Sequence, residues 1–94
     1  MSYLEELEEL IDDEESRDAI EAVVKKELEI LTEEEKQYLL DHSDYVEHHF
    51  FYGLHLRNTY IYKSKILNNY VFLSADELSH IIFDKIIDAI KNST

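Results

Sequence analysis

Cysteine, proline and tryptophan are absent from this chain, and glycine occurs once, at position 53. Without cysteine there is neither a disulfide framework nor a thiolate zinc site. A single glycine leaves no phosphate-binding glycine loop and no glycine-flanked nucleophile elbow. No apolar run approaches the roughly 18 residues that a membrane span requires. Cationic side chains are scarce, with 9 Lys and Arg against 22 Asp and Glu, so the formal net charge is −13. Direct nucleic-acid binding needs a basic stripe to neutralise phosphates. The nearest approach to one is Arg57, Lys63 and Lys65 among Tyr60, Tyr62 and Tyr70. The acidic N-terminus is unlike a signal or transit peptide.

What is present suits a folded domain. The 94 residues are 45% hydrophobic, with seven Tyr and four Phe, too apolar for a disordered acidic tail. That length makes one domain, 1–94, expected to be cytoplasmic. The charge divides it unequally. Residues 1–47 hold 18 acidic and 4 basic residues, a net of −14, whereas 48–94 hold 4 and 5, a net of +1. Like charges at i,i+3 and i,i+4 in a helix repel by about 0.2–0.5 kcal/mol per pair. Pairs such as Glu5–Glu8, Glu5–Glu9 and Glu6–Glu9 meet no Lys or Arg before Arg17. Either packing of an apolar stripe or a cationic partner must offset that repulsion.

Apolar spacing predicts a mainly α fold of about five helices. The first spans about 2–11, on Leu4, Leu7 and Ile11. A second, capped by Asp12 or Asp13, runs to about Leu31 with Ile20, Val23, Val24, Leu28 and Leu31 on one face. Thr32 and Glu35 form a capping box for a short third helix carrying Tyr38, Leu39 and Leu40. Ser43 or Asp44 caps a fourth, to about Asn58. Residues 59–73 change character, and a small β-hairpin is expected there, with Ser64–Leu67 against Tyr70–Leu73 across Asn68-Asn69. Ser74 and Glu77 form a second capping box. It opens a last helix whose wide stripe of Leu78, Ile82, Ile86, Ala89 and Ile90 lies deep in the core.

The fourth helix holds two oddities. At 100° per residue, Val46, Phe50, Gly53, Leu54 and Arg57 share an inner face, and His48, Tyr52, His55 and Thr59 the opposite one. Mid-helix glycine costs about 1 kcal/mol relative to alanine, so Gly53 implies a neighbour too close for a Cβ. Arg57 on an apolar face needs an anionic partner, either Asp76 or an acid of the N-terminal half. Two readings follow: a buried arginine–carboxylate clamp between helices, or an anion or ligand site using Arg57, Asn58 and His49. The five histidines lack metal-ligand spacing, and neither a metal nor a cofactor is expected.

The segment His49-Phe50-Phe51-Tyr52-Gly53-Leu54-His55-Leu56-Arg57-Asn58-Thr59-Tyr60 resembles the signature of a small uncharacterised bacterial domain family, a domain of unknown function. That signature reads His-Phe-x-x-Gly-x-x-Ile-Arg-Asn-x-Trp, followed by Asp-Asp-Met-Ser at the last helix. Asp76-Glu77-Leu78-Ser79 is similar to the second part, and the resemblance covers about 46–90. It implies no reaction, but groups His49, Gly53, Arg57, Asn58, Asp76 and Ser79 in one constellation.

The leading functional expectation is a non-enzymatic acidic protein-binding module or inhibitor. Its surface Glu5, Glu6, Glu8, Glu9, Asp12, Asp13, Glu14 and Glu15 would dock on a basic surface of another protein, in the strong form a nucleic-acid-binding one. Its strong form is nucleic-acid mimicry by a phage or bacterial anti-defence protein. The alternatives are a small-molecule or anion-binding domain centred on Arg57, Asn58, His49 and Asp76, and a homodimer joined through the first helix. No catalytic residue, direct nucleic-acid contact or membrane contact is expected.

Overall fold

The computed structural model describes residues 6, 9, 11, 14–67 and 74–93. Within them lie α1 (Glu14–Ile30), α2 (Glu33–Asp41), α3 (Tyr45–His48), α4 (Tyr52–Leu56), a π-helix (Arg57–Ile61) and α5 (Ala75–Asn92). Glu6 and Glu9 are also helical and exposed, and Ile11 is buried. The rest of the expected first helix, and Asp12 and Asp13 as caps, fall outside the described residues. Among the described residues there is no strand, and no helix is long and apolar enough to cross a membrane.

Local signals explain the helix starts. Thr32 Oγ1 accepts from Glu35 N at 3.1 Å, and Glu35 Oε1 accepts from Thr32 N at 2.9 Å. Asp44 Oδ1 accepts from Val46 N at 3.1 Å. Ser74 and Glu77 make the same reciprocal pair at the start of α5, at 3.1 and 3.2 Å. Each such pair satisfies backbone donors that a first helical turn leaves open.

Packing then gathers around α5. Leu78, Ile81, Ile82, Phe83, Ile86 and Ile90 are all at most 1% exposed, which makes this helix the axis of the core. The α1 helix brings Ile20 and Val23 to it, α2 brings Leu39, and the middle of the chain brings Tyr45, Leu56 and Ile61. Burial of such side chains contributes about 1.5–3 kcal/mol each, and it holds in place helices too short to persist alone.

Two expectations are corrected. Residues 44–58 are not one helix. The chain bends at His49–Phe51, where Phe51 takes φ −111° and ψ −76°, and resumes as α4. The pitch then widens, with Tyr62 N donating to Arg57 O at 2.9 Å, an i→i+5 bond. A fixed 100° per residue therefore fails across the bend. Gly53 and Arg57 do point inward, but Val46, Phe50 and Leu54 are exposed, whereas His48 is buried and Tyr52 half-buried. The hairpin expectation also changes. Thr59–Ile61 belong to the π-helix, and Ser64–Leu67 form turns in which Leu67 N donates to Ser64 Oγ at 3.0 Å. Tyr70–Leu73 lie outside the described residues.

Candidate binding site

Three neighbouring features carry the polar chemistry. The first surrounds Arg57, 7% exposed where the π-helix begins. Its Nη1 donates to Tyr45 Oη at 3.1 Å, Asp76 Oδ1 at 3.2 Å and Ser79 Oγ at 3.3 Å. Its Nη2 donates to the His49 carbonyl at 3.1 Å. Asp76 Oδ1 also accepts from Tyr45 Oη at 3.1 Å and lies 2.7 Å from His49 Nδ1. Tyr45 and Ser79 share a short hydrogen bond, and the Ser79 hydroxyl reaches back to the Asp76 carbonyl at 2.8 Å. Burial, reinforced by the nearby Asp76 charge, pushes the Tyr45 phenol up against the opposing pull of its Ser79 bond.

Gly53 makes this network possible. A Cβ there would stand 2.7 Å from Tyr45 Oη and 3.1 Å from Arg57 Nη1. The structure thus brings His49, Gly53, Arg57, Asp76 and Ser79 together, and among the described residues Asp76 is the carboxylate that faces Arg57. Asn58 is exposed and stands apart. Tyr45 belongs to the network although sequence reasoning had given it no role. Its place one position after the Asp44 cap was the available hint.

The second feature is a carboxylate in the core. Glu27 of α1 is 1% exposed. Its Oε1 accepts from Tyr52 Oη at 2.7 Å and lies 3.1 Å from His55 Nε2, and its Oε2 accepts from Tyr60 Oη at 2.5 Å. A buried carboxylate persists only with such donors. Burial and the Glu27 bonds push both phenols well above the usual 10. The sequence reading had not singled out Glu27. Its spacing held the signal, because Ile20, Val23, Glu27 and Leu31 fall on one helical face.

The third feature is an open cleft of about 720 Å³ above Glu27. Its walls come from the end of α1, from α2 and from the α3–α4 bend. Leu31, Leu39 and Tyr52 form the floor, and Ile30, Tyr38 and Phe51 stand exposed around it. Glu34, Glu35, Glu47, His48 and His55 line it as well, and among the described residues no Lys or Arg does. Thr32 holds Glu35 below its usual 4.5, chiefly through its backbone N–H.

Of the acidic residues expected to contact a partner, Glu6, Glu9, Glu14 and Glu15 are exposed, and Glu5, Glu8, Asp12 and Asp13 lie outside the described residues. Among the described residues, no three His, Asp or Glu side chains converge as metal ligands would. No family model, curated protein or solved structure matches the chain.

Proposed function

We propose that the protein is a non-enzymatic acidic module that docks on a basic surface of another protein. The observation that supports this reading is the excess of exposed carboxylates on α1 and α2. Glu14, Glu15, Asp18, Glu21, Glu29 and Glu33 to Glu35 all face solvent. Among the described residues, Lys36–Glu33 at 3.5 Å is the one Lys or Arg ion pair of this half. Such a surface raises the local concentration of cationic partners and speeds their encounter. The narrower form of the proposal is occupation of a nucleic-acid-binding cleft, with helix carboxylates standing where phosphates would. The Arg57 network supports an anion site less well, because both guanidinium Nη groups already donate to protein acceptors.

Affinity capture from host cells at low and high salt tests the reading. A partner with a basic surface should bind at low salt and elute steeply as ions screen the contact. A variant carrying Glu14→Gln, Glu15→Gln, Asp18→Asn and Glu21→Gln should capture less of it. Binding that ignores both salt and these substitutions refutes the proposal.

A further inference from the structure

The cleft over Glu27 combines two features that rarely coincide on a surface meant only for water. Ile30, Tyr38 and Phe51 are 51%, 57% and 81% exposed, and they come from three different elements yet converge on one depression. Scattered exposed apolar residues need no explanation, but a contiguous patch rimmed by polar groups marks an interaction site. Carboxylates supply that rim. Glu34 and Glu47 are exposed beside the apolar walls, Glu35 caps α2 from the same rim, and among the described residues His48 and His55 line the space but no Lys or Arg does.

The shape argues against a small metabolite. A small-molecule pocket encloses most of its ligand. Here the apolar walls are themselves half or more in solvent, so the depression is a groove. The carboxylate at its base is already engaged, since Glu27 accepts from Tyr52 and Tyr60. What remains on offer is an apolar floor between acidic edges. An amphipathic helix recognises such a groove by anchors at i, i+3, i+4 and i+7. Complementarity to Glu34 and Glu47 requires Lys or Arg beside those anchors.

We infer that the cleft bounded by Ile30, Tyr38, Phe51, Glu34 and Glu47 receives a basic amphipathic helix of the partner protein, its apolar anchors in the groove and its cations against the carboxylates. This rests on the acidic-module reading and adds the place and the kind of segment bound. Cationic charge draws the partner in, and apolar burial selects it.

The test uses the full chain and three synthetic peptides of about 18 residues, roughly five helical turns. One is an amphipathic Leu/Lys helix, one an oligolysine of equal charge, and one an amphipathic Leu/Glu helix. Amide chemical-shift mapping and fluorescence titration read the binding. The Leu/Lys peptide should bind at least tenfold tighter than oligolysine and shift the amides of Ile30, Tyr38 and Phe51, and the Leu/Glu peptide should not bind. Phe51→Ser and Ile30→Ser change exposed side chains, so helicity by circular dichroism should persist while Leu/Lys affinity falls about tenfold. Glu34→Gln with Glu47→Gln should weaken binding and flatten its salt dependence. Equal binding of Leu/Lys and oligolysine, unchanged by Phe51→Ser, overturns the inference and leaves the charge-driven reading standing. Failure of both cationic peptides at low salt overturns both. Self-association abolished by Phe51→Ser would assign the cleft to a second copy and overturn it too, as would tight binding of the Leu/Glu peptide.

Discussion

Replacing Gly53 by alanine tests the close approach around which the Arg57 network is built. In an ordinary helix the change stabilises by up to about 1 kcal/mol, since alanine loses less backbone freedom. Here the added methyl would lie 2.7 Å from Tyr45 Oη and 3.1 Å from Arg57 Nη1. Tyr45 has little room to yield. Its ring stacks on His80 at 4.3 Å and meets the Phe83 ring edge-on at 5.5 Å, while its hydroxyl bonds Asp76 and Ser79. Overpacking of this kind costs about 1–3 kcal/mol. A displaced hydrogen bond adds about 0.5–1.5 kcal/mol. After the helix-propensity gain, the net loss for Gly53→Ala is about 1–3 kcal/mol. In a chain of this size each kcal/mol lowers Tm by about 4–8 °C. Urea and thermal denaturation, followed by circular dichroism, measure it. A double-mutant cycle identifies the cause, because Tyr45→Phe removes the clashing oxygen. The loss from Gly53→Ala should shrink by about 1 kcal/mol in that background. A Gly53→Ala protein as stable as the parent, or more stable, refutes the reasoning.

Other perturbations follow from the same contacts. Arg57→Lys should cost about 1–3 kcal/mol, since one ammonium cannot span both the Asp76 cluster and the His49 carbonyl; an unchanged denaturation midpoint would contradict this. Glu27→Ala strands two phenols and should cost about 2–4 kcal/mol, with Glu27→Gln about half as damaging; equal midpoints for both variants and the parent would show that the cluster contributes nothing. Tyr45, Tyr52 and Tyr60 are raised in the fold, so the stability they contribute is complete below pH 10 and is lost as pH rises through their folded values. Phenolate absorbance should show late-titrating tyrosines, and a single transition near 10 for every tyrosine would refute it. Glu35 is lowered, so its contribution is present above 4.5 and is lost as pH falls through its folded value. Thr32→Ala should remove about 1 kcal/mol, while Glu35, held low chiefly by the position-32 backbone N–H that alanine keeps, should still titrate below 4.5 by carboxyl carbon shifts; an unchanged denaturation midpoint would count against the capping box.

Helix starts were legible because their causes are local: Thr32 with Glu35 and Ser74 with Glu77 satisfy each other within one turn. The α5 stripe was legible because nearly every face of that helix is buried. Gly53 and Arg57 announced a close approach and a buried charge because each is costly without one. The bend at His49–Phe51 was not legible, since a helix wheel assumes one pitch and these residues carry no proline or glycine to break it. Val46, Phe50 and Leu54 therefore passed for core when they face solvent. Glu27 was missed for the opposite reason. It sits in the charged run Lys25-Lys26-Glu27-Leu28-Glu29, and its donors come from 25 to 33 residues further along the chain.

The π-helix has an evolutionary consequence. A wide turn of this kind is what one extra residue inside an α-helix produces. Arg57 at its start bonds toward α5, and Tyr60 near its end bonds toward α1. The added residue sets the angle between them. Losing one residue here would restore an α pitch and turn Tyr60 by about 100° relative to Arg57, away from Glu27. Chain length in this segment is thus constrained from both sides at once. Drift in a lineage carrying this fold should run to substitutions at Asn58 and Thr59, which face solvent, and not to gaps between Arg57 and Tyr60.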